Sequence, residues 1–206
     1  MVGLTGVLAL GLTLSAAPVI AAADREDGLT LSERKQLERG ELVQRAVRET
    51  RGKLDLLGGT SWQVIDAPAD RVWRALLDVP RYPRMLPRVL EARVVNDVDG
   101  TRTVFVRQGA AFIDTTYHLK VQVDAAQHDM TFALDDKRPH RVRAAWGFFS
   151  VRPYGQGRTL LTFGIMADPG EGLIAAAMRG LVQDWMLKSP WMIKRFVEGS
   201  GQWLYR

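Results

Sequence analysis

The sequence contains no cysteine. That absence excludes disulfides, thiolate metal sites, a cysteine nucleophile and an acylated lipoprotein anchor. Histidine is nearly as scarce, with only His118, His128 and His140. No pair of them has helical i, i+4 spacing beside a glutamate, so the reading is no metal. No G-x-S-x-G occurs, and neither Ser150 nor Ser189 lies in a recognisable nucleophile motif. There is no internal repeat and no low-complexity tract.

Charge is missing altogether from residues 1–23, MVGLTGVLALGLTLSAAPVIAAA. An apolar run from Val7 to Leu14 is followed by small residues, and Ala21 and Ala23 fit an A-x-A cleavage pattern. The segment reads as a signal peptide, with the mature chain starting at Asp24, or as an uncleaved anchor in the inner membrane. Either reading places the domain outside the cytoplasm, and the lack of cysteine favours a bacterial periplasm.

The rest of the 206 residues suffices for one domain with a sizeable core. A net charge of +5 permits attraction to anionic surfaces without demanding it. Basic residues are scattered and match no recognition motif, so no nucleic-acid partner is expected.

Residues 24–57 form a charged arm with a short helix capped at Thr30 or Ser32, stopped at Gly40, and an ambiguous extra strand over 41–49. RGKLDLLGG reads as a turn region and SWQVIDA as a strand. Next comes DAPADRVWRALLDVPRYPRMLP. Pro68 suits a first helical position, Ala69, Val72, Trp73 and Leu76 share one face, and Pro80 ends the helix. Pro83 and Pro87 stiffen the loop after it.

From Val89 to Asp168, short segments are separated by turn signals, as in antiparallel strands. YHLKVQVD alternates cleanly, with Tyr117, Leu119, Val121 and Val123 on one face. GQG at 155–157 lies between strands and precedes no helix, so it reads as a turn and not a phosphate loop. A helical pattern then runs from about Gly172 towards Val197, where Ser189 and Pro190 cap a second segment or mark a kink.

Asp66-Ala67-Pro68, Val72-Trp73, Tyr82-Pro83, Met85 and Pro87, with RTLLTF at 158–163 before Asp168-Pro169-Gly170, resemble the START-like (SRPBCC) helix-grip superfamily. The nearer resemblance is to its polyketide cyclase/dehydrase and coenzyme Q-binding branch, over roughly residues 60–198. The resemblance implies an α+β helix-grip fold: a curved antiparallel sheet wrapped around a long C-terminal helix, with an internal cavity. The domain is set at 58–199 and a C-terminal tail at 200–206. A sheet with one apolar face needs a cover, and the stripe over 172–197 is the only element long enough.

The leading functional expectation is binding or transport of a hydrophobic small molecule (a lipid, quinone or polyketide-like compound), without a cofactor. Ligand-contacting candidates are Tyr82, Met85, Phe105, Arg107, Tyr117, Phe149, Phe163, Met178 and Trp185. Arg107 shares a strand face with Phe105, so an inward register would place a guanidinium in an apolar cavity in need of a polar partner. The aromatic and methionine residues suit an adaptable apolar wall and equally a packed core. No catalytic residue is assigned. An aromatase/cyclase-like enzyme is the alternative, and it would draw on Arg107, Asp114 and Tyr117. A protein-interaction module is a third reading. Trp185, Trp191 and Trp203, among Lys188, Lys194, Arg195 and Arg206, allow membrane-surface contact through the C-terminal helix, or a solvated basic face.

Overall fold

In a computed structural model, which describes residues 28–110, 113–170 and 173–205 and leaves out the side chains of 110, 113 and 173–178, eight strands form one antiparallel sheet. They are β1 (Val43–Arg51), β2 (Leu54–Ile65), β3 (Val89–Val98), β4 (Thr101–Ala110), β5 (Ile113–Asp124), β6 (Asp129–Leu134), β7 (Ala144–Tyr154) and β8 (Arg158–Asp168). The order is β1-β2-β8-β7-β6-β5-β4-β3, so β3 to β8 run as a meander and β2 closes back onto β8. The leader over 1–23 lies outside the described residues.

Tight turns set the registers. Asp99 and Gly100, both at positive φ (49° and 76°), make a two-residue loop that pairs Val98 with Thr101. The strand before it therefore runs on through Asn96–Val98. The β1–β2 hairpin likewise turns at Gly52 and Lys53 only, and Leu54–Gly59 is strand, not turn. A boundary at residue 58 falls inside β2, and β1 is a full member of the sheet. β2 approaches its neighbours closely at two glycines: a Cβ on Gly58 would lie 1.9 Å from the Ile165 carbonyl oxygen, and Gly59 takes φ 136°.

Between β2 and β3 the chain builds the end cap of the sheet. Helix α2 (Ala69–Leu77) buries Val72, Trp73, Ala75 and Leu76. Pro68 is its N-cap rather than its first residue, with extended geometry. Pro80 falls in a 3-10 turn (Val79–Arg81), and Pro83 in a single helical turn, α3 (Tyr82–Met85). The Tyr82 hydroxyl donates to the Leu76 carbonyl at 2.8 Å and locks this turn onto the preceding helix.

The C-terminal helical stretch is two helices, α4 (Leu173–Leu187) and α5 (Ser189–Glu198), so the interruption at Pro190 is a second segment and not a kink. Pro190 lacks the N–H that a continuing helix would need, and it occupies the first turn of α5. Ser189 does not cap α5. Lys188 stands at that position, and the Ser189 hydroxyl donates back to the Met186 carbonyl at 2.7 Å. Both helices pack on the inner face of the sheet, where Ile193, Phe196 and Val197 join the main core with Leu161, Phe163 and Val151.

A smaller core lies on the outer face. The N-terminal helix α1 (Leu31–Glu38) seats Leu37 against Trp62, Val64 and Leu160. Thr30 and Glu33 form a reciprocal capping box, and Arg45 of β1 donates to Glu33 at 2.7 Å. The arm is thus fastened to the sheet. The tail is fastened too: the Tyr205 hydroxyl donates to Asp78 Oδ2 and Arg74 donates to the Tyr205 carbonyl, both at 2.7 Å.

Candidate functional site: an apolar cavity under the C-terminal helix

Residues directly opposite in an antiparallel pair project to the same face. Val106 pairs with Tyr117, and Val104 with Leu119, so these four side chains point together towards α4. The same rule sends Arg107 and Thr116, and Phe105 and His118, to the outer face. Inward residues of β4 to β8 and the last turns of α4 leave between them a cavity of about 500 Å³. That size suits a small-molecule site.

The interior wall is aromatic and aliphatic. Phe149 and Phe163 stack at 4.5 Å between ring centroids, and Phe132 lies 6.0 and 6.2 Å from them. Phe132 is directly opposite Gly147 across the β6–β7 ladder. A Cβ there would lie 2.5 Å from the Phe132 ring, so the glycine makes the space that lets the ring lie back against the sheet. Val106, Leu119, Ile165 and Val182 complete the apolar surface.

Polar groups are few and mostly at one end. The Tyr117 hydroxyl donates to Gln108 Oε1 at 2.8 Å, and Gln108 Nε2 donates to the Pro87 carbonyl at 3.0 Å. This chain ties β5 to β4 and to the loop after α3. Burial pushes the Tyr117 phenol well above its ordinary range, so it stays protonated and acts as a donor. Thr115 Oγ1 is buried in the wall with no hydrogen-bond partner among the described residues. At the mouth stand Arg88, Asp114 and Arg141. The Arg88 guanidinium lies 4.4 Å over the Trp185 ring.

Of the residues singled out from sequence, Tyr82, Tyr117, Phe149, Phe163 and Trp185 line this cavity. Met85 does not: it is fully buried in the core beneath α3. Phe105 lies on the outer face against His118 and under Arg93. Arg107 is a correction of the same kind. It is half-exposed and pairs with Asp114 (Nε to Oδ2 3.0 Å), whose carboxyl its hydrogen bonds hold below the usual range. The side chain of Met178 lies outside those described. Among the described residues, no three His, Asp or Glu side chains gather as a metal site.

Sequence reasoning passed over Gln108, Thr115, Met130, Phe132, Arg88 and Arg141. Alternation in DMTFAL marks Met130 and Phe132 as same-face neighbours, and Gln108 follows from Tyr117 once the β4–β5 register is known. Arg88 and Arg141 sit at a strand entrance and in a loop, where no periodicity operates.

The sequence matches the family model described as polyketide cyclase / dehydrase and lipid transport over residues 60–189, more than half of the chain. The chain belongs to that family, and its eight-stranded sheet with packed C-terminal helices is the helix-grip fold. Solved structures with the same fold include a protein from Thermus thermophilus, at TM-score 0.61 and 16% identity, covering 71% of this chain and 98% of that one. The Zhui aromatase/cyclase from Streptomyces sp. R1128 matches at TM-score 0.58 and 17% identity, covering 80% and 97%. A STAR-related lipid transfer protein from Xanthomonas axonopodis matches at TM-score 0.55 and 14% identity, covering 76% and 99%. Among curated proteins, none matches this chain.

Proposed function

We propose that the protein binds a hydrophobic small molecule, such as a lipid, quinone or polyketide-like compound, in the cavity under α4, and carries or senses it rather than transforming it. The observation that carries this reading is the wall itself: Phe132, Phe149 and Phe163 with aliphatic neighbours around about 500 Å³, and few polar groups, among them the hydrogen-bonded pair Tyr117 and Gln108. Burial of apolar ligand surface would supply the affinity, at roughly 25 cal/mol per Å² before ordering losses. Tyr117 and Thr115 would orient whatever oxygen the ligand presents. The family description, which names lipid transport, agrees with this reading.

The enzymatic alternative draws on the same family description and on the aromatase/cyclase among its structural neighbours. Of the three groups expected to serve it, Arg107 and Asp114 are joined to each other at the surface. Tyr117 alone faces the interior. A protonated phenol can polarise a carbonyl, yet it needs a base that these residues do not supply. The uncharged segment 1–23 supports a site of action outside the cytoplasm, and N-terminal sequencing for a chain starting at Asp24 would check it.

Nile red, a neutral apolar fluorophore, tests the binding reading. The wild-type protein should enhance its emission saturably. Val106→Trp, which fills the cavity, should abolish the enhancement while unfolding cooperatively. An equal enhancement by both proteins would sink the cavity assignment. Leu119→Phe serves as the second filling variant if Val106→Trp does not fold.

A further inference from the structure

Many of the described arginines are matched by a carboxylate, as are Arg45 with Glu33, Arg102 with Asp97, Arg107 with Asp114, Arg152 with Asp129, Arg158 with Glu38 and Arg179 with Asp55. Arg88 and Arg141 are not. Both border the cavity, both are exposed, and among the described residues neither has a carboxylate within salt-bridge distance. Among the described residues, the acidic side chain at the mouth is Asp114, which Arg107 holds. An apolar cavity therefore opens past two cations: Arg141 shares the Asp114 charge with Arg107 at longer range, and Arg88 has no carboxylate within salt-bridge distance among the described residues.

Arg88 is also held in place. Its backbone is left-handed (φ 61°), an uncommon state for a residue with a side chain, and its carbonyl accepts the Gly109 N–H at 2.9 Å. Its guanidinium stacks on Trp185, which occupies one planar face. The N–H groups lie in that plane, have no hydrogen-bond partner among the described residues, and offer the fork geometry that suits a carboxylate or phosphate. Trp185 thereby links the mouth to α4 and the apolar interior.

We propose that the ligand of this cavity is an amphiphile with an acidic head, a carboxylate or phosphate, which sits at the mouth between Arg88 and Arg141 while its apolar body fills the interior. This rests on the binding reading above and adds the ligand's charge. The head would keep part of its hydration at the mouth, so its desolvation cost is small compared with that of a buried ion. Lowering the ionic strength should strengthen binding of the acid and leave a neutral analogue unaffected.

The test is competition against Nile red by dodecanol, dodecanoate and monododecyl phosphate, with the full chain at pH 7.5. Both acids should compete at roughly tenfold lower concentration than dodecanol, as expected for a charge-assisted hydrogen-bonded contact. The better of the two would identify the head. In Arg88→Gln/Arg141→Gln that advantage should vanish while dodecanol competes as before. Arg88→Lys, which keeps the charge and loses the stacked fork, should retain part of it. If all three compete equally with the wild-type protein, or if the double variant keeps the preference for acids, the acidic head is refuted and the apolar cavity stands. If Nile red does not bind and none of the three competes, the cavity reading fails and this inference fails with it.

Discussion

Tyr117 and Gln108 are diagonal neighbours on the inner face of the β4–β5 ladder, with the phenol donating to the amide oxygen at 2.8 Å. Removing the hydroxyl in Tyr117→Phe leaves a polar atom partly buried without its donor. The expected loss is about 1 kcal/mol of stability, read by urea denaturation. Binding of an alkane-like probe should change little, and binding of an analogue with an oxygen near Tyr117 should weaken.

Arg107 and Asp114 supply the opposite control. Their pair is half-exposed on the outer side of the sheet, where solvent screening leaves such a pair contributing little to stability. Arg107→Ala should therefore leave both unfolding and Nile red binding close to those of the wild type. A large loss of binding would return Arg107 to the site.

Gly147 faces the Phe132 ring, and a Cβ would also lie 2.2 Å from the Gly164 carbonyl oxygen. Gly147→Val cannot be accommodated without moving both. It should destabilise the protein by roughly 1–3 kcal/mol or more, as overpacking does, and drive Phe132 into the cavity. A lower Tm and a weaker affinity for Nile red should appear together.

The Glu33 carboxyl is lowered to about 2, chiefly by hydrogen bonds from Arg45, then by the Thr30 backbone N–H. Its folded pKa lies below the unfolded value of 4.5, so its contribution is complete above pH 4.5 and is lost as pH falls from there towards 2. Glu33→Gln should flatten that part of the acid dependence. Thermal unfolding at pH 7 and pH 3 checks this: the wild type should lose more Tm between the two than the variant.

The order of elements was readable because its signals are local. Prolines at 68, 80, 83 and 87 punctuate α2 and the turns after it, and Asp-Gly and Gly-rich turns separate strands whose alternation is plain in YHLKVQVD. RTLLTFGIMAD matches β8 end to end. What escaped was relative register. Tyr117 and Arg107 were both offered to the interior, yet Tyr117 opposes Val106, so Arg107 must point the other way. Nothing in either strand alone states which residues oppose each other. Met85 was misread for another reason: it and Tyr82 lie on one helical turn, but only Tyr82 reaches the cavity, and one turn has no periodicity to show it. The break at Lys188 was legible as Pro190, but not its form, because a proline in a first helical turn and a proline kink look alike in sequence.

Native mass spectrometry of the protein purified without detergent tests the central claim most directly. The account predicts a population heavier than the bare chain by the mass of one apolar molecule, released by organic extraction and absent from Val106→Trp. A bare chain mass for the wild type, together with no uptake from an added mixture of lipids, quinones and fatty acids, would contradict it.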